Sequence, residues 1–189
     1  RYVGWGGLQH AFNGKNASWQ KEYQELKALL PKEEYRNARE TVLTSFYTPK
    51  EVLDGMYHAI QHMGFRGGKV LEPSLGIGNF YHAMPKELRD TTELYGVELD
   101  SISGRIAQYL HPSANIQIRG FEETNFEENS FDLILGNVPF GDYKPYDPKY
   151  KNKKLKIHDY FIMKSLDLLK PGGILAVVTS KGTLDKSNN

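Results

Sequence analysis

The sequence predicts an α/β domain, a mostly parallel sheet flanked by helices on both faces. Short apolar runs recur between residues 69 and 178 and alternate with segments of helical period, the order that builds β-α-β units. A glycine pair, Gly76 and Gly78, follows the first run and enters a helix. An acid, Glu98, closes the second run 20 residues after Gly78, where such sheets commonly hold a ribose. At 189 residues the chain suffices for one well-buried domain of this kind and is too short for two ordinary ones.

Lys plus Arg number 24 and Asp plus Glu 23, so net charge does not announce a polyanion and any such site must be local. The absence of cysteine excludes disulfides and thiolate metal sites; no metal centre is expected, and a cytoplasmic setting is. No apolar segment approaches a membrane span, no signal peptide opens the chain, and no membrane partner is expected. Arg1 is not an initiator methionine and the chain closes on polar residues, Lys186 to Asn189, so a piece of a longer protein is expected.

Residues 1–45 read as an arm and helical extension, and residues 46–189 as the main domain. Residues 1–15 have no period, and Tyr2 and Trp5 are expected to pack on the domain surface. From Ser18, the apolar positions Trp19, Tyr23, Leu26 and Leu30 share a helical face. Pro31 opens a second helix through Tyr35, Ala38 and Val42, and both helices are expected to cap the core rather than do chemistry. Thr48, with Pro49 next and Glu51 three residues on, predicts a capping box for a helix that turns Val52, Met56, Ile60 and Met63 inward and stops at Gly64. Strands are then predicted at Lys69–Glu72, Leu94–Leu99, Ile116–Arg119, Leu133–Leu135 and Ile174–Val178. Helices are predicted at Asn79–Leu88, Ser101–Leu110 and Tyr160–Leu169, with Pro171-Gly172-Gly173 as the last turn.

Ligands of such sheets bind at the carboxyl ends of the strands. There Gly76 and Gly78 let backbone pass close to a ligand, but Tyr81 stands where a dinucleotide fingerprint needs its third glycine. Glycine loop and Glu98 together favour an adenosine-containing ligand without phosphates. Phe121 reads equally as a ring stacked on that adenine or as core, and Glu122 or Glu123 as an acceptor for its amino group.

The fourth strand runs into Asn137-Val138-Pro139-Phe140. The Asn137 amide and the Val138 carbonyl are two acceptors that can converge on one exocyclic NH2, and Phe140 can stack on the ring that bears it. Holding both N–H bonds favours a pyramidal nitrogen with a localised lone pair, and a base from a duplex must first be flipped out to present that edge. The plainer alternative is an Asn-X-Pro turn. Next come Lys144, Lys149, Lys151, Lys153, Lys154 and Lys156 with Tyr143, Tyr146 and Tyr150 interleaved, readable as a solvated loop or as a nucleic-acid surface. His158 is a candidate proton acceptor or a structural histidine.

These residues, in this order, resemble the S-adenosylmethionine-dependent N6-adenine DNA methyltransferases over roughly residues 46–185. Phe46-Tyr47-Thr48-Pro49 is similar to the leading motif that holds the methionine carboxylate. Glu72-Pro73 with Gly76, Gly78 and Phe80 is similar to the donor loop. Glu98, with Leu99 beside it, matches the ribose acid, and Asn137 to Phe140 matches the catalytic Asn-Pro-Pro-aromatic motif. Asn-Val-Pro-Phe-Gly-Asp, the later Tyr-Phe-Ile-Met-Lys-Ser-Leu and the Gly-Trp-Gly-Gly arm are closer still to the methylase module of large methylase-helicase proteins of phages and conjugative elements.

The resemblance implies a Rossmann-like class I methyltransferase fold, S-adenosylmethionine as cofactor, DNA as partner, a helicase portion in the same parent chain, and a bacterial or mobile-element origin. It also implies further strands and a target-recognition region beyond the fifth strand, absent from these residues. Val138 replaces the motif's first proline, and Gly120 stands where many relatives carry an acid for the donor adenine. The same motif can present an RNA base or a protein glutamine, and a module that docks DNA without catalysis is the reading from another class.

Overall fold

The structure, a computed structural model, describes residues 4–42, 48–141, 143–153, 155–180 and 183. Among these, the elements are α1 (Gln20–Leu29), α2 (Lys32–Thr41), α3 (Lys50–His62), β1 (Gly68–Glu72), α4 (Asn79–Ala83), α5 (Lys86–Arg89), β2 (Thr92–Glu98), α6 (Ser101–Leu110), β3 (Asn115–Ile118), β4 (Phe131–Asn137), α7 (Ile157–Leu168) and β5 (Leu169–Val178). The strands pair in the order β3-β2-β1-β4-β5, every pair parallel. From β1 the chain winds outward to β3, then returns to the other side of β1 for β4 and β5. That reversal opens a crevice at the carboxyl ends of β1 and β4.

The two-residue period of a strand explains the double core. Val70, Leu133 and Leu135 face Leu53, Tyr57 and Ile60 of α3 and Ala107 of α6. Leu71 and Ile134 face the opposite way, onto Tyr160, Phe161 and Leu168 of α7. All five of these strand residues are fully buried, as the central position of β1 and β4 requires.

The arm and first two helices form a third cluster. Trp5, Phe12, Ala38 and Val42 pack together with Ile102 of α6 beside them. Arg105 of α6 pairs with Glu34 at 2.9 Å, and the Asn37 amide donates to the Leu99 carbonyl at 3.3 Å. Tyr2 lies outside the described residues.

Four local expectations change. Pro49, not Thr48, is the N-cap of α3, with no side-chain cap; its fixed φ starts the helix one residue later and leaves Thr48 a buried residue upstream. The buried face of α3 is Leu53, Tyr57 and Ile60 with Met56 packed beside it, so Ile60 and Met56 turn inward as predicted while Val52 and Met63 are 42% and 59% exposed. Pro85 divides the predicted helix from Asn79 into α4 and α5. β5 starts at Leu169, opposite Phe131, and Pro171-Gly172-Gly173 is looped out within the strand before Ile174 pairs with Leu133.

Candidate active site

A cavity of about 350 Å³ opens at the carboxyl ends of β1, β2 and β4. On the β2 side stands Glu98, 8% exposed. Its Oε2 accepts from the Gly76 N–H at 2.7 Å and its Oε1 from the Asp100 N–H at 2.8 Å, so the carboxylate ties the glycine loop to the start of α6. Asp100 is the N-cap of α6, accepting from the Ser103 N–H at 3.0 Å. Burial pushes the Glu98 carboxyl up to about 7, against the hydrogen bonds from Asp100 and Gly76, which favour its charged form.

Glu72, the last residue of β1, lies between the two sides and is 2% exposed. Burial first, and then the charge of Glu98, push its carboxyl well above the usual range. Its Oε2 is buried with no hydrogen-bond partner among the described residues, although the side chain lines the cavity. The loop beyond it is shaped by backbone that favours glycine, φ +58° at Gly76 and +83° at Gly78, and the two residues do different work. A Cβ on Gly76 would project into open space, whereas one on Gly78 would stand 2.4 Å from the His111 ring.

The β4 side carries the other motif. Asn137 ends the strand, and its main-chain carbonyl accepts from the Ser74 hydroxyl at 2.7 Å, joining the glycine loop to the Asn-Val-Pro-Phe segment. The Val138 side chain is buried in the α7-side core, and its N–H donates to the Val178 carbonyl at 3.1 Å. Asn137, Pro139 and Phe140 line the cavity. Glu98 and Asn137 sit on strands separated by β1, so their backbones are roughly 10 Å apart by strand spacing.

Of the residues predicted from sequence, the cavity gathers Thr48, Glu72, Pro73, Gly76, Phe80, Glu98, Leu99, Phe121 and Glu122 with those three from the acceptor motif. Gly78 and Val138 do not line it; the first makes room for His111 and the second fills the core. Phe121 resolves chiefly toward core, 2% exposed, with its ring centroid 5.0 Å from that of Phe161 and 6.1 Å from that of Tyr160. Glu122 folds back over Gly120, where an added Cβ would stand 2.7 Å from its carboxylate. Burial raises the Glu122 carboxyl as well. Tyr47 lies outside the described residues.

The predicted basic surface divides. The Lys149 ammonium sits 2.7 Å from both Glu128 and Asp167, and Lys154 lies outside the described residues. Lys144, Lys151 and Lys153 are exposed and, like Lys149, do not line the cavity. His158 is buried off the cavity, its Nε2 3.6 Å from Asp159, which removes it as a proton acceptor there. Among the described residues no group of three or more His, Cys, Asp or Glu is placed to hold a metal, and no helix is long and apolar enough to cross a membrane.

Sequence reasoning missed Gly4, Glu40 and Thr41, which bring the N-terminal extension into the cavity wall, and Arg119; Tyr143, read from sequence only as part of the lysine-rich surface, lines the cavity as well. Only the position of Arg119, one residue past a strand end, signalled its role. Tyr143 is 61% exposed; burial and then the charges of Glu122, Glu40 and Glu123 raise its phenol, so acids ring the mouth.

The chain is 34% identical over 151 residues to the "Defense against restriction protein B" of Escherichia phage P1, a match over 77% of this chain and 6% of that protein. Its fold is similar to that of a type I restriction-modification methyltransferase subunit from Streptococcus thermophilus, with a TM-score of 0.65 and 19% identity over 93% of this chain and 45% of that one. It is also similar to a Listeria monocytogenes protein assigned as a class I S-adenosylmethionine-dependent methyltransferase, with a TM-score of 0.62 and 15% identity over 92% of this chain and 62% of that one. The fold is thus the class I methyltransferase fold that the resemblance implied. The Eco57I restriction-modification methylase model matches residues 86–189, more than half of the chain and the whole Asn137–Phe140 segment, and the chain belongs to that family.

Proposed function

We propose that this chain transfers a methyl group from S-adenosylmethionine to the N6 amino group of adenine in DNA, as the methylase module of a much longer protein. One observation carries the reading: Glu98 and Asn137 line one cavity from either side of β1. A ligand anchored at Glu98 and lying across Glu72 reaches the Asn137 segment without leaving the protein.

The cavity suits the donor. Its lining has four carboxylates, Glu40, Glu72, Glu98 and Glu122, against one guanidinium, Arg119, a balance that favours a cation. The partnerless Glu72 Oε2 suits an ammonium, and the open space at Gly76 admits a ligand against backbone. When bound, the donor supplies an electrophilic methyl on a sulfonium. Glu98 accepts from the ribose hydroxyls, Thr48 lies at the carboxylate end, and Leu99, Pro73, Phe80 and the Phe121-Glu122 turn enclose the rest. Glu122, folded over Gly120, takes the part of the acid that relatives carry two residues earlier, at the position of Gly120.

On the other side, the Asn137 side chain and the Val138 carbonyl accept the two N–H bonds of the flipped base's amine, while Phe140 stacks on its ring. The Ser74 bond occupies the carbonyl of Asn137 itself, which leaves that of Val138 for the substrate. Held this way, the lone pair points across β1 for in-line attack, and the positioning replaces a bimolecular encounter. The amine proton leaves to water at the open mouth.

A second reading gives the same transfer an RNA base or a protein glutamine as acceptor; the acids around Tyr143, which repel a phosphate backbone at the mouth, favour the glutamine. Methyl incorporation into unmethylated duplex DNA, RNA and protein separates the two. Label in DNA adenine from the native chain, and none from an Asn137→Ala variant that still binds donor, is the expected result. Undiminished transfer by Asn137→Ala would reject the acceptor assignment, and label in RNA or protein alone would select the second reading.

A further inference from the structure

Behind the cavity lies a buried cation with no place in the chemistry above. Lys164, on α7, is 6% exposed and does not line the cavity. Its ammonium donates to the Phe121 carbonyl at 2.7 Å and the Thr124 carbonyl at 3.1 Å, both in the turn after β3 that carries Glu122. It also pairs at 3.3 Å with Asp147, which belongs to the segment after Phe140. The Phe121 and Tyr160 rings lie 4.9 Å and 5.9 Å from the ammonium and complete its cage.

Asp147 is in turn the anchor of its own segment. The Tyr160 hydroxyl donates to Oδ2 at 2.7 Å and the Lys149 N–H to Oδ1 at 2.9 Å. Four residues upstream stands Tyr143, at the cavity mouth, its carbonyl held by the Ile157 N–H at 2.9 Å. One ammonium therefore grips the turn on the donor side at Thr124 and the segment on the acceptor side at Asp147, 23 residues apart in sequence.

A buried ammonium costs desolvation, and a pair of this kind is no better for stability than apolar packing of the same volume. What it gives and apolar packing does not is direction, because carbonyl and carboxylate lone pairs fix where both segments sit. We propose that Lys164 is a positioning residue that couples the two halves of the site, so that disturbing the acceptor-side segment at Asp147 moves the Phe121–Thr124 turn and weakens the hold on the donor. This rests on the methyl-transfer reading for its consequence, though not for the coupling itself.

Amide hydrogen exchange tests it on the 189-residue chain. In Asp147→Asn, exchange within residues 120–124 should quicken at least fivefold while β1 and β4 exchange as in the native chain. Lys149→Ala, in the same segment and off the tie, should leave residues 120–124 unchanged, and Lys164→Met, which also lowers global stability, should quicken residues 120–124 by more than it quickens β1 and β4. S-adenosylmethionine titrated calorimetrically should bind several-fold more weakly to Asp147→Asn than to Lys149→Ala. Faster exchange confined to residues 143–153 would overturn the proposal, as would a Lys149→Ala effect equal to that of Asp147→Asn. If the native chain bound no donor, the donor reading would fail and the exchange result would still decide the tie.

Discussion

Charge is treated in opposite ways at two places in this molecule. At the carboxyl ends of β1 and β2, Glu72 and Glu98 are buried, and among the described residues no cation pairs with either. In the segment after Phe140 and the helix behind it, Lys149 meets Glu128 and Asp167, and Lys164 meets Asp147. Glu98 is held by two backbone N–H groups, but Glu72 bears a buried carboxyl oxygen with no hydrogen-bond partner among the described residues, a cost that a bound ligand would offset, which favours the ligand reading of the first place. The second is shaped by the fold, although its lysines looked the more functional in the sequence.

The largest effect expected from this contrast is on stability. Lys164→Met removes one member of a buried pair and leaves Asp147 charged and undercompensated, which costs about 3–5 kcal/mol of unfolding free energy. Urea denaturation measures it, and the Lys164→Met/Asp147→Asn double variant should recover a large part, because the two partners are coupled. A single-variant loss under about 1 kcal/mol would place the pair in the class of solvent-screened bridges and erase the contrast.

Next in size is the pH response of Glu98. Its carboxyl titrates near 7 in the folded chain against an ordinary 4.5, so between those values the folded protein keeps a proton that the unfolded chain has released. Stability from this group is therefore fully present below pH 4.5 and is lost as pH rises to 7; the difference corresponds to roughly 3 kcal/mol. Glu98→Gln should flatten that slope, gaining on the native chain as pH rises from 5 to 7.5 in thermal unfolding. Ribose hydroxyls favour the charged form, so donor affinity of the native chain should climb across the same window, and an affinity flat from pH 5.5 to 7.5 would remove Glu98 from the donor site.

A smaller and sharper effect belongs to Gly120. Its φ of −63° suits any residue, and the nearest atoms to an added Cβ are those of the Glu122 carboxylate, at 2.7 Å, the far end of a flexible side chain. Gly120→Ala should therefore alter stability by less than about 0.5 kcal/mol, yet displace the Glu122 carboxylate and weaken donor binding several-fold. Equal affinity for both chains would mean that Glu122 does not touch the donor.

What could be read in advance follows the same division. The strand ends bearing Glu72, Glu98 and Asn137 were legible because a strand's carboxyl end and its apolar period fix their location within a residue. The donor loop was half legible: φ above zero requires glycine at 76 and 78 alike, but whether the missing Cβ faces a ligand or His111 depends on the later packing of α6. Thr48 misled because a capping box and a Thr-Pro step share one pattern, and only the backbone shows that Pro49 holds the cap. Glu40 and Thr41 were invisible, since they join the cavity through the docking of α2 on α6, a contact between segments about 60 residues apart. Lys149 and Lys164 were misread or passed over for the converse reason: their carboxylate partners stand 17 to 21 residues away, and no local pattern announces them.

The smallest effect distinguishes the lysines themselves. Burial works to lower the Lys149 ammonium, but hydrogen bonds to Asp167 and Glu128 outweigh it and hold the group above its usual value, so its charge is already spoken for. Because the side chain is nearly half exposed, Lys149→Ala should cost less than about 1 kcal/mol. It should also leave the salt dependence of DNA binding unchanged, since a lysine committed to two carboxylates releases no counterion from a phosphate. Lys151, exposed in the same segment, is the contrasting case, and Lys151→Ala should lower the slope of log affinity against log salt by about one if that residue meets a phosphate. Filter-binding titrations at several salt concentrations read both. A reduced slope for Lys149→Ala would mean that DNA strips Lys149 from Glu128 and Asp167, and that the loop's ion pairs are exchanged on binding rather than built to last.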